Sequence, residues 1–384
     1  MNLLDRYIFK SVFGTCLAAV ALLAFVLMVG NVLRDLLGYA LAGQIDFATF
    51  ARLTLLLTPF AFVFALPMGV LTGVLLTLGR LSADSEITAM RAAGLSLRRI
   101  ARPVIVFGLL GFAVALYINF VGMPAARAQY NRERAAALRA NPLNFVVART
   151  FIREFPGYVL YVGEKQGSML RDFWLWELDG QQRVVRMLRA ASGRIDYDEA
   201  DNELILTLMN TRVENRAARN PEDFTEPQLV PWVEKWEAGR LPLDRVFRRG
   251  GGVRTKLDWM SLGELTQARV RLQAPPAGET AEQAAVRRRE ITRVDFALSD
   301  RFNIALAVFS FALIGVPLGV KVSRRETSAN LGVAVALALG YYFFTTVAGW
   351  FDKRPDLYPA LLLLLPNLLM LALAAWLFAR LERR

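Results

Sequence analysis

Six long runs without a charged residue constrain this chain more than any other feature of its sequence. The runs are 19 to 27 residues long and cover Ser11–Leu33, Leu53–Gly79, Pro103–Val121, Phe302–Val320, Ala329–Phe351 and Leu357–Ala379. A helix needs roughly 20 apolar residues to cross the hydrocarbon core of a bilayer. The sequence therefore predicts an α-helical membrane protein with six transmembrane helices, rather than a soluble protein with buried core helices.

The short loops between these runs differ in charge, and the difference predicts the orientation. Thirteen Lys and Arg residues fall on the face that holds both termini, against four on the opposite face. Because basic short loops stay in the cytoplasm, we expect both termini to be cytoplasmic. The first run has 23 residues, whereas the core of a signal peptide has only ~7–15, so we interpret this run as a retained span.

The long segment between the third and fourth runs is expected to be a periplasmic domain. From Met123 to Asp300 it carries 28 basic and 25 acidic residues, so the net charge of +12 belongs mostly to the membrane part. We expect no nucleic-acid partner, because no basic stripe is concentrated on a soluble module. The predicted organisation is residues 1–122 with transmembrane helices 1–3 and a cytoplasmic helix at 80–94, residues 123–300 as the periplasmic domain, and residues 301–384 with helices 4–6.

Short apolar runs within the long segment predict β-structure. They begin near Tyr158, Phe173, Arg183 and Leu204 and are rich in β-branched, aromatic and Leu residues, a composition that favours strands. Asp179-Gly180 separates two of them and indicates a hairpin turn. Several short strands with frequent turns are typical of a β-sandwich or a jelly roll.

Helices are predicted on both sides of these strands. An Ala- and Arg-rich stretch from Pro124 to Arg139 is expected to extend the third span and to end near Asn141-Pro142. Asp258–Gln273 and the charged stretch Thr280–Arg301 are also predicted to be helical, and the latter leads into the fourth span.

Several kinds of chemistry are excluded by what the sequence lacks. The chain has no His and a single Cys, Cys16, which excludes an internal disulfide, a His-ligated metal site and a Ser-His-Asp or Cys-His catalytic centre. No phosphate-binding loop of an ATPase is present. None of the six runs contains an ionisable Asp, Glu, Lys or Arg, which argues against an ion-coupled transporter. We expect no metal and no cofactor.

The loop between the second and third runs predicts a short amphipathic helix. Ser82 is placed to cap its N-terminus and Gly94 to end it, while Ile87 and Met90 lie three residues apart on one face. This pattern fits a helix that lies on the bilayer surface as well as it fits a lever that inserts into the groove of a partner.

The same loop resembles the coupling-helix region of the LptF/LptG permeases, the membrane subunits of the lipopolysaccharide transport ABC complex. The similar stretch reads Leu78-Gly-Arg-Leu-Ser-Ala-Asp-Ser-Glu-Ile-Thr-Ala-Met-Arg-Ala-Ala-Gly-Leu-Ser. The opening Leu4-Asp-Arg-Tyr-Ile and Arg139-Ala-Asn-Pro142 after the third run are also similar. The Ser85-Glu-Ile-Thr form is closer to the F type and the opening is closer to the G type, so the two motifs point to different types, and the chain is closer to the F type.

This resemblance implies a permease subunit that extracts lipopolysaccharide from the Gram-negative inner membrane and passes it to a periplasmic bridge toward the outer membrane. It implies a β-jellyroll for the periplasmic domain. It also implies ATP hydrolysis by a separate subunit, so the chain itself is not an enzyme. The implied partners are a dimer of the cytoplasmic ATPase LptB, a second permease of the G type (or of the F type if this chain is the G type), and LptC.

The resemblance also implies three sets of functional residues. Coupling to the ATPase is expected from Asp84, Glu86, Met90 and Arg91. Binding of the lipopolysaccharide phosphates is expected from Arg34, Arg127, Arg132 and Arg134. A lateral gate is expected from Phe25, Val29, Tyr341 and Phe344. Plain helix packing explains the aromatic cluster of the fifth run, Tyr341-Tyr-Phe-Phe344, equally well. Arg34, beside Asp35, could equally anchor the end of the first helix at the membrane interface.

Two other classes of protein fit parts of the pattern. One is the permease of another ABC system, for lipoprotein release or efflux, which commonly has four spans and a different outer domain. The other is a membrane-anchored periplasmic scaffold, for which six spans and a capped cytoplasmic helix have no evident use. The number of spans separates the lipopolysaccharide permease from both.

Overall fold

The computed structural model describes residues 2–41, 45–140, 146–153, 157–179, 181, 183–198, 203–215, 228–242, 257, 260–274, 279–321, 327–352 and 354–382. The α-helices are α1 (Leu3–Asp35), α2 (Leu37–Leu41), α3 (Phe47–Leu56), α4 (Thr58–Ala83), α5 (Glu86–Ala92), α6 (Leu97–Tyr117), α7 (Met123–Ala140), α8 (Leu262–Gln273), α9 (Ala281–Lys321), α10 (Thr327–Gly349), α11 (Pro359–Leu362) and α12 (Leu365–Glu382). The strands are β1 (Phe151–Ile152), β2 (Tyr158–Gln166), β3 (Met169–Leu178), β4 (Val184–Asp198), β5 (Glu203–Asn215) and β6 (Gln228–Pro242).

Six helical stretches in the described part of the chain are long and apolar enough to cross a membrane. They are Leu3–Val32, Phe47–Ala83, Leu97–Arg134, Ala281–Val320, Gly332–Gly349 and Pro359–Glu382. Each contains one of the apolar runs of the sequence or most of it. Large apolar side chains remain exposed along the first, third, fifth and sixth stretches, as expected for helices whose outer faces contact lipid rather than water.

Two of these stretches continue well beyond the apolar runs. A π-helical turn at Ile118–Gly122 joins α6 to α7 without a break, which confirms the predicted extension of the third helix as far as Ala140. Asn141-Pro142, the predicted end, lies outside the described residues. The predicted charged helix before the fourth run is also confirmed, because it and the run form the single 41-residue helix α9.

The helix before α9 begins later than predicted. It starts at Leu262 instead of Asp258, because Ser261 caps it in a capping box with Glu264. The Ser261 hydroxyl accepts the backbone N–H of Glu264, and the Glu264 carboxylate accepts the backbone N–H of Ser261 at 2.7 Å. This backbone N–H, with the Ser261 hydroxyl, holds the pKa of Glu264 below its usual value. The local hydrogen bonds therefore define the first residue of the helix.

Glycines bring α1 and α4 into close contact. Gly69 and Gly73 lie one turn apart on α4, and the backbone of α1 passes over them at Val20 and Cys16. A Cβ atom at Gly73 would lie 2.5 Å from the Cα atom of Cys16. Small residues spaced four apart allow helix backbones to approach closely within a membrane, where packing replaces the hydrophobic effect between helices.

A second pair of glycines performs the same role between α9 and α4. Gly315 and Gly319, again four residues apart, receive the side chains of Val74 and Leu78. Consequently α4 is packed against α1 on one side and α9 on another, and α4 and α9 are mostly buried.

The strands form one antiparallel sheet in the order β1-β2-β3-β4-β5-β6. Each strand pairs with its neighbour in sequence, so the described strands are a meander, and no Greek-key crossing occurs among them. One face of the sheet is packed into an apolar core. The buried core residues include Ile152, Leu160, Val162, Leu170, Phe173, Leu175, Leu188, Ala190, Leu208 and Val213.

The turn between β3 and β4 confirms the predicted hairpin. The Asp179 carboxylate accepts the backbone N–H groups of Gln181 and Arg183 at 2.8 and 2.9 Å. The Arg183 backbone N–H and guanidinium group hold the pKa of Asp179 below its usual value. Gly180 of the predicted turn lies outside the described residues. At the other end of β4, Asp198 pairs with Glu203 of β5.

A crease runs across the sheet. Gly163, Asp172, Ala191 and Asn210 lie opposite one another on β2–β5, and the paired registers on either side skip them. Asp172 and Asn210 have φ angles of 51° and 53°, a left-handed conformation that Asp and Asn tolerate better than most residues. Along each strand the buried positions change from even to odd numbers across this row, as from Leu170 to Phe173 in β3. The crease therefore reverses which side chains each strand sends into the core.

The contacts divide the chain into two compact units. The first consists of Met1–Val32, Leu56–Ala128 and Leu257–Arg384, and it contains most of the helices. The second consists of Leu33–Leu55 and Gln129–Lys256. Within the second unit, Tyr39 and Ile45 pack against the core of the sheet. The segment between the first and second apolar runs thus belongs with the β-structure.

The glycine contact between α1 and α4 yields a testable prediction. Gly73→Ala places a Cβ against the backbone of Cys16, so the helices must separate, which typically costs about 1–3 kcal/mol. We expect a lower thermal midpoint for the purified full-length protein in detergent. Gly14→Ala is the matched control, because nothing lies within 4 Å of its added Cβ and Ala favours a helix by ~1 kcal/mol. Equal midpoints for the two variants would contradict the contact.

Candidate functional site

The short helix α5 is built differently from the sequence prediction. Ser82 was expected to cap it, but α4 continues through Ala83, and the Ser82 hydroxyl donates to the carbonyl of Val320 at 3.0 Å. The prediction for Ser82 is wrong because a tertiary partner takes its hydroxyl. Instead, Ser85 separates α4 from α5, because its left-handed backbone conformation, with φ of 63°, interrupts the helical path. The helix therefore covers Glu86–Ala92 rather than the whole of 80–94.

The end of α5 follows the prediction. Gly94 has φ of +86°, and its N–H donates to the carbonyl of Arg91 at 2.9 Å. The N–H of Leu95 donates to the carbonyl of Met90 at 3.1 Å. Together these two bonds form a Schellman motif, which satisfies the last carbonyls of the helix. Gly94 is the expected stop, because a side chain at this φ is strained.

One face of α5 is packed and the other is exposed. Ile87 is buried, and the half-buried Met90 packs against the same core, which includes residues of α1, α4, α6 and α9. Asp84 and Arg91, from the predicted coupling set, are exposed, and Glu86 is half-exposed. Met90 therefore holds the helix in place, whereas the other three residues of the set are accessible to a partner.

Polar contacts tie α5 and the adjacent start of α6 to the ends of two long helices. The Tyr7 hydroxyl of α1 donates to the Glu86 carboxylate, with O–O distances of 3.1 and 3.3 Å. The Arg91 guanidinium donates to the carbonyl of Leu381 in α12 at 3.4 Å. Next to α5, Arg98 pairs with Glu382 at 2.8 Å. These contacts therefore link α5 and the start of α6 to the first residues of α1 and the last residues of α12.

The predicted phosphate-binding arginines fall into different positions. Arg127, Arg132 and Arg134 all lie on α7. Successive helical residues are 100° apart, so Arg127 and Arg134 share a face two turns apart, while Arg132 points to another side. Arg127 and Arg134 are half-buried and Arg132 is exposed. Arg34 lies near the end of α1, and its side chain is outside the described residues.

The predicted gate residues also separate. Phe25 is 60% exposed and Val29 is exposed on the same face of α1, and Phe344 of α10 is 52% exposed. Tyr341, only 1% exposed, lies inside the helix core, which favours the packing interpretation for this member of the aromatic cluster. No described core cluster contains residues of both α1 and α10, because α4 lies between them.

Tyr341 belongs to a buried polar cluster that the sequence analysis missed. Its hydroxyl donates to the Asn303 carbonyl at 3.2 Å and accepts from the Asn303 amide at 3.0 Å. The Asn367 amide donates to the Asn303 carbonyl and side-chain oxygen at 2.9 and 2.7 Å. The cluster joins α9, α10 and α12. The available signal was an amide residue within each of two apolar runs, since such residues bond across membrane helices.

These features define the class of the protein. Six membrane-length apolar helices are interrupted, after the third, by an antiparallel sheet, and a short helix with an accessible face is held against the ends of the first and last long helices. This is the arrangement expected of a multi-span membrane permease.

Comparison with known proteins identifies the family. The family model described as lipopolysaccharide export system permease LptF/LptG matches residues 6–380. LptF of Escherichia coli strain K12 is 24% identical over 374 residues, which cover 96% of this chain and 92% of that protein. LptG of Haemophilus influenzae is 24% identical over 242 residues, 63% of this chain and 65% of that protein. The chain therefore belongs to the LptF/LptG permease family, and the equal identities do not separate the two types.

Proposed function

We propose that this chain is a permease subunit of an ABC transporter that extracts lipopolysaccharide from the inner membrane and passes it toward the outer membrane. The observation that carries this proposal is the family match over residues 6–380, on a chain with six membrane-length apolar helices. In this arrangement both termini are cytoplasmic and the sheet unit is periplasmic. We propose that the described meander belongs to the β-jellyroll of the family.

The partners in this proposal follow from what the family does. A dimer of the ATPase LptB binds the cytoplasmic face, a second permease of the other type completes the membrane channel, and LptC receives the lipid. The F type is the subtype proposed for this chain. ATP is hydrolysed by the separate subunit, and this chain converts the resulting motion into movement of the lipid.

The proposed route of coupling begins at α5. An ATPase that binds Arg91 on the exposed side of α5, together with Asp84 at the end of α4, moves a helix that is already bonded to α1 through Tyr7 and Glu86. The same motion reaches α12 through the bond from Arg91 to Leu381. We infer that these contacts transmit the displacement to the membrane helices, and the packed side of α5 keeps the helix from moving independently.

The proposed lateral gate is formed between two permeases. Phe25 on α1 and Phe344 on α10 both present apolar surface away from the core, and α4 keeps these two helices apart within one chain. Each exposed face is then available to a second permease or to the acyl chains of the substrate. Apolar surface is required there, because removing acyl chains from lipid into water costs ~0.8 kcal/mol per CH₂.

The proposed phosphate contacts lie on α7. Arg127 and Arg134 share one face of the helix, and charge-assisted bonds from guanidinium groups to phosphate are among the strongest hydrogen bonds in proteins. Arg34, close to the end of α1, is proposed to contribute to the same function. Arg132, which points elsewhere, is proposed to make a separate and weaker contact.

The coupling proposal predicts different effects for the two partners of one hydrogen bond. Glu86→Lys should reduce co-purification of the ATPase and lower transport by roughly tenfold, the effect of about 1.4 kcal/mol, because it reverses a charge on the accessible side of α5. Tyr7→Phe keeps the carboxylate, so the ATPase should remain bound while less lipid moves per ATP hydrolysed. Both measurements use the full complex reconstituted in proteoliposomes.

The matched control for this charge reversal is Glu164→Lys. Glu164 is an exposed residue of β2, so its reversal should leave ATPase binding and transport unchanged. Wild-type ATPase binding together with wild-type transport in Glu86→Lys would refute the role of α5.

The substrate proposal predicts that substitutions on two faces of α7 change lipopolysaccharide crosslinking to different extents. In cells carrying a photocrosslinking residue at Phe344, the double variant Arg127→Gln with Arg134→Gln should lose about tenfold in lipopolysaccharide adducts, as expected for losing one charge-assisted contact. Arg132→Gln, on the same helix with the same loss of charge, is the control and should lose far less. Equal yields in the double variant and the wild type would show that α7 does not bind the phosphates.

A further inference from the structure

The sheet carries a straight row of large side chains on the face opposite its core. The paired registers place these residues directly across five adjacent strands, in the order Phe151, Tyr161, Trp174, Arg189 and Arg212. Core residues such as Leu160 and Leu175 alternate with members of the row along the strands. The row therefore contributes nothing to the core on the other face.

The first three members form an aromatic surface that begins at the edge of the sheet. Phe151, on the edge strand β1, is 58% exposed. Its ring lies 5.1 Å from the ring of Tyr161 and 5.8 Å from that of Trp176, the next outward residue on β3. Trp176 in turn stacks on Trp174 at 5.7 Å with a 16° angle between the rings. Contiguous apolar surface of this kind, here four neighbouring aromatic rings, often marks a binding site.

The row continues into two arginines. The Arg189 guanidinium lies 4.3 Å above the ring of Trp174, so one flat face of the group is used for stacking while its N–H groups point outward from its edge. The Asp172 carboxylate forms an ion pair with one Nη atom of Arg189 at 3.6 Å. The stacking and this ion pair hold Arg189 in place, and its remaining N–H groups are available for a planar anion.

Arg212 stands directly opposite Arg189 on the next strand and is exposed. Like charges directly opposite each other destabilise a sheet. Within the described part of the chain, no carboxylate is recorded in an ion pair with Arg212. The result is a concentration of positive charge that adjoins an aromatic surface, and an anion bound between the two arginines would relieve the repulsion.

We propose that this row binds the acidic inner sugars of lipopolysaccharide, so it rests on the proposed function and adds a saccharide-binding site to it. Charge complementarity supports this occupant, because the inner sugars carry carboxylate and phosphate groups that match Arg189 and Arg212. The apolar C–H faces of the same sugar rings stack on Trp176 and Phe151. An acyl chain would match the aromatic rings but leave the charge of Arg212 and the remaining N–H groups of Arg189 unused, so the sugar is the part of the lipid that fits the whole row.

The experiment compares two lipids that differ only in acidic sugars. Native mass spectrometry of the full-length chain in detergent measures binding of Kdo₂-lipid A, which carries two acidic octulosonic sugars, and of lipid A with the same acyl chains and phosphates. We expect the wild type to prefer Kdo₂-lipid A by about tenfold, the order of one charge-assisted contact. Arg189→Gln and Arg212→Gln should bring this preference close to one without weakening the binding of lipid A.

The control is Arg171→Gln, which removes the same charge from an exposed residue of β3 that is already paired with Glu164. It should keep the wild-type preference. The saccharide site would be overturned if Arg189→Gln and Arg212→Gln kept the wild-type preference for Kdo₂-lipid A, or if Arg171→Gln lost that preference equally. In either case, binding of lipid A would still support the proposed permease. Loss of a periplasmic protein partner with an unchanged preference would assign the row to that protein instead. Failure of both lipids to bind the wild type would overturn the proposed function as well.

Discussion

The close approach of α4 to α1 and α9 is the contact on which the rest of the membrane unit depends. Two pairs of glycines, Gly69 with Gly73 and Gly315 with Gly319, remove the side chains that would keep these helices apart. With no strong hydrophobic effect between helices in lipid, such close packing is a main source of association. It leaves apolar side chains of α1 and α10, such as Phe25 and Phe344, exposed, as the proposed gate requires.

The polar contacts of the membrane unit are of two kinds, and they have different consequences. The cluster of Asn303, Tyr341 and Asn367 is buried, so breaking any of its bonds leaves an unsatisfied polar group in an apolar environment. It fixes α10 and α12 to α9. The contacts of α5 with Tyr7 and Leu381 are exposed, and exposed polar pairs typically contribute only about 0–1 kcal/mol. They link α5 to α1 and α12 while contributing little to stability, and the packing of Ile87 and Met90 holds α5 in place.

Features of the sequence that act locally were predictable, and those that depend on distant partners were not. The apolar runs, the helix after Pro124, the hairpin at Asp179 and the stop at Gly94 each follow from neighbouring residues. Ser82 was misassigned because its partner, Val320, is 238 residues away. Tyr341 and Phe344 lie in the same aromatic stretch, and which of them is buried depends on distant partners such as Phe311 and Asn303. Likewise the crease at Asp172 depends on aligned positions in four strands, and no single strand reveals it.

The measurement that tests the central claim most directly is site-specific photocrosslinking of lipopolysaccharide to the helices on either side of α4. A photoreactive residue is placed at Phe25, Phe344 or Phe311, the last being fully buried in α9. We expect lipopolysaccharide adducts at Phe25 and Phe344 that change in yield when ATP is added to the assembled complex, and none at Phe311. Adducts at neither exposed position, or equal adducts at all three, would contradict a lipopolysaccharide permease with a gate on the outer faces of α1 and α10.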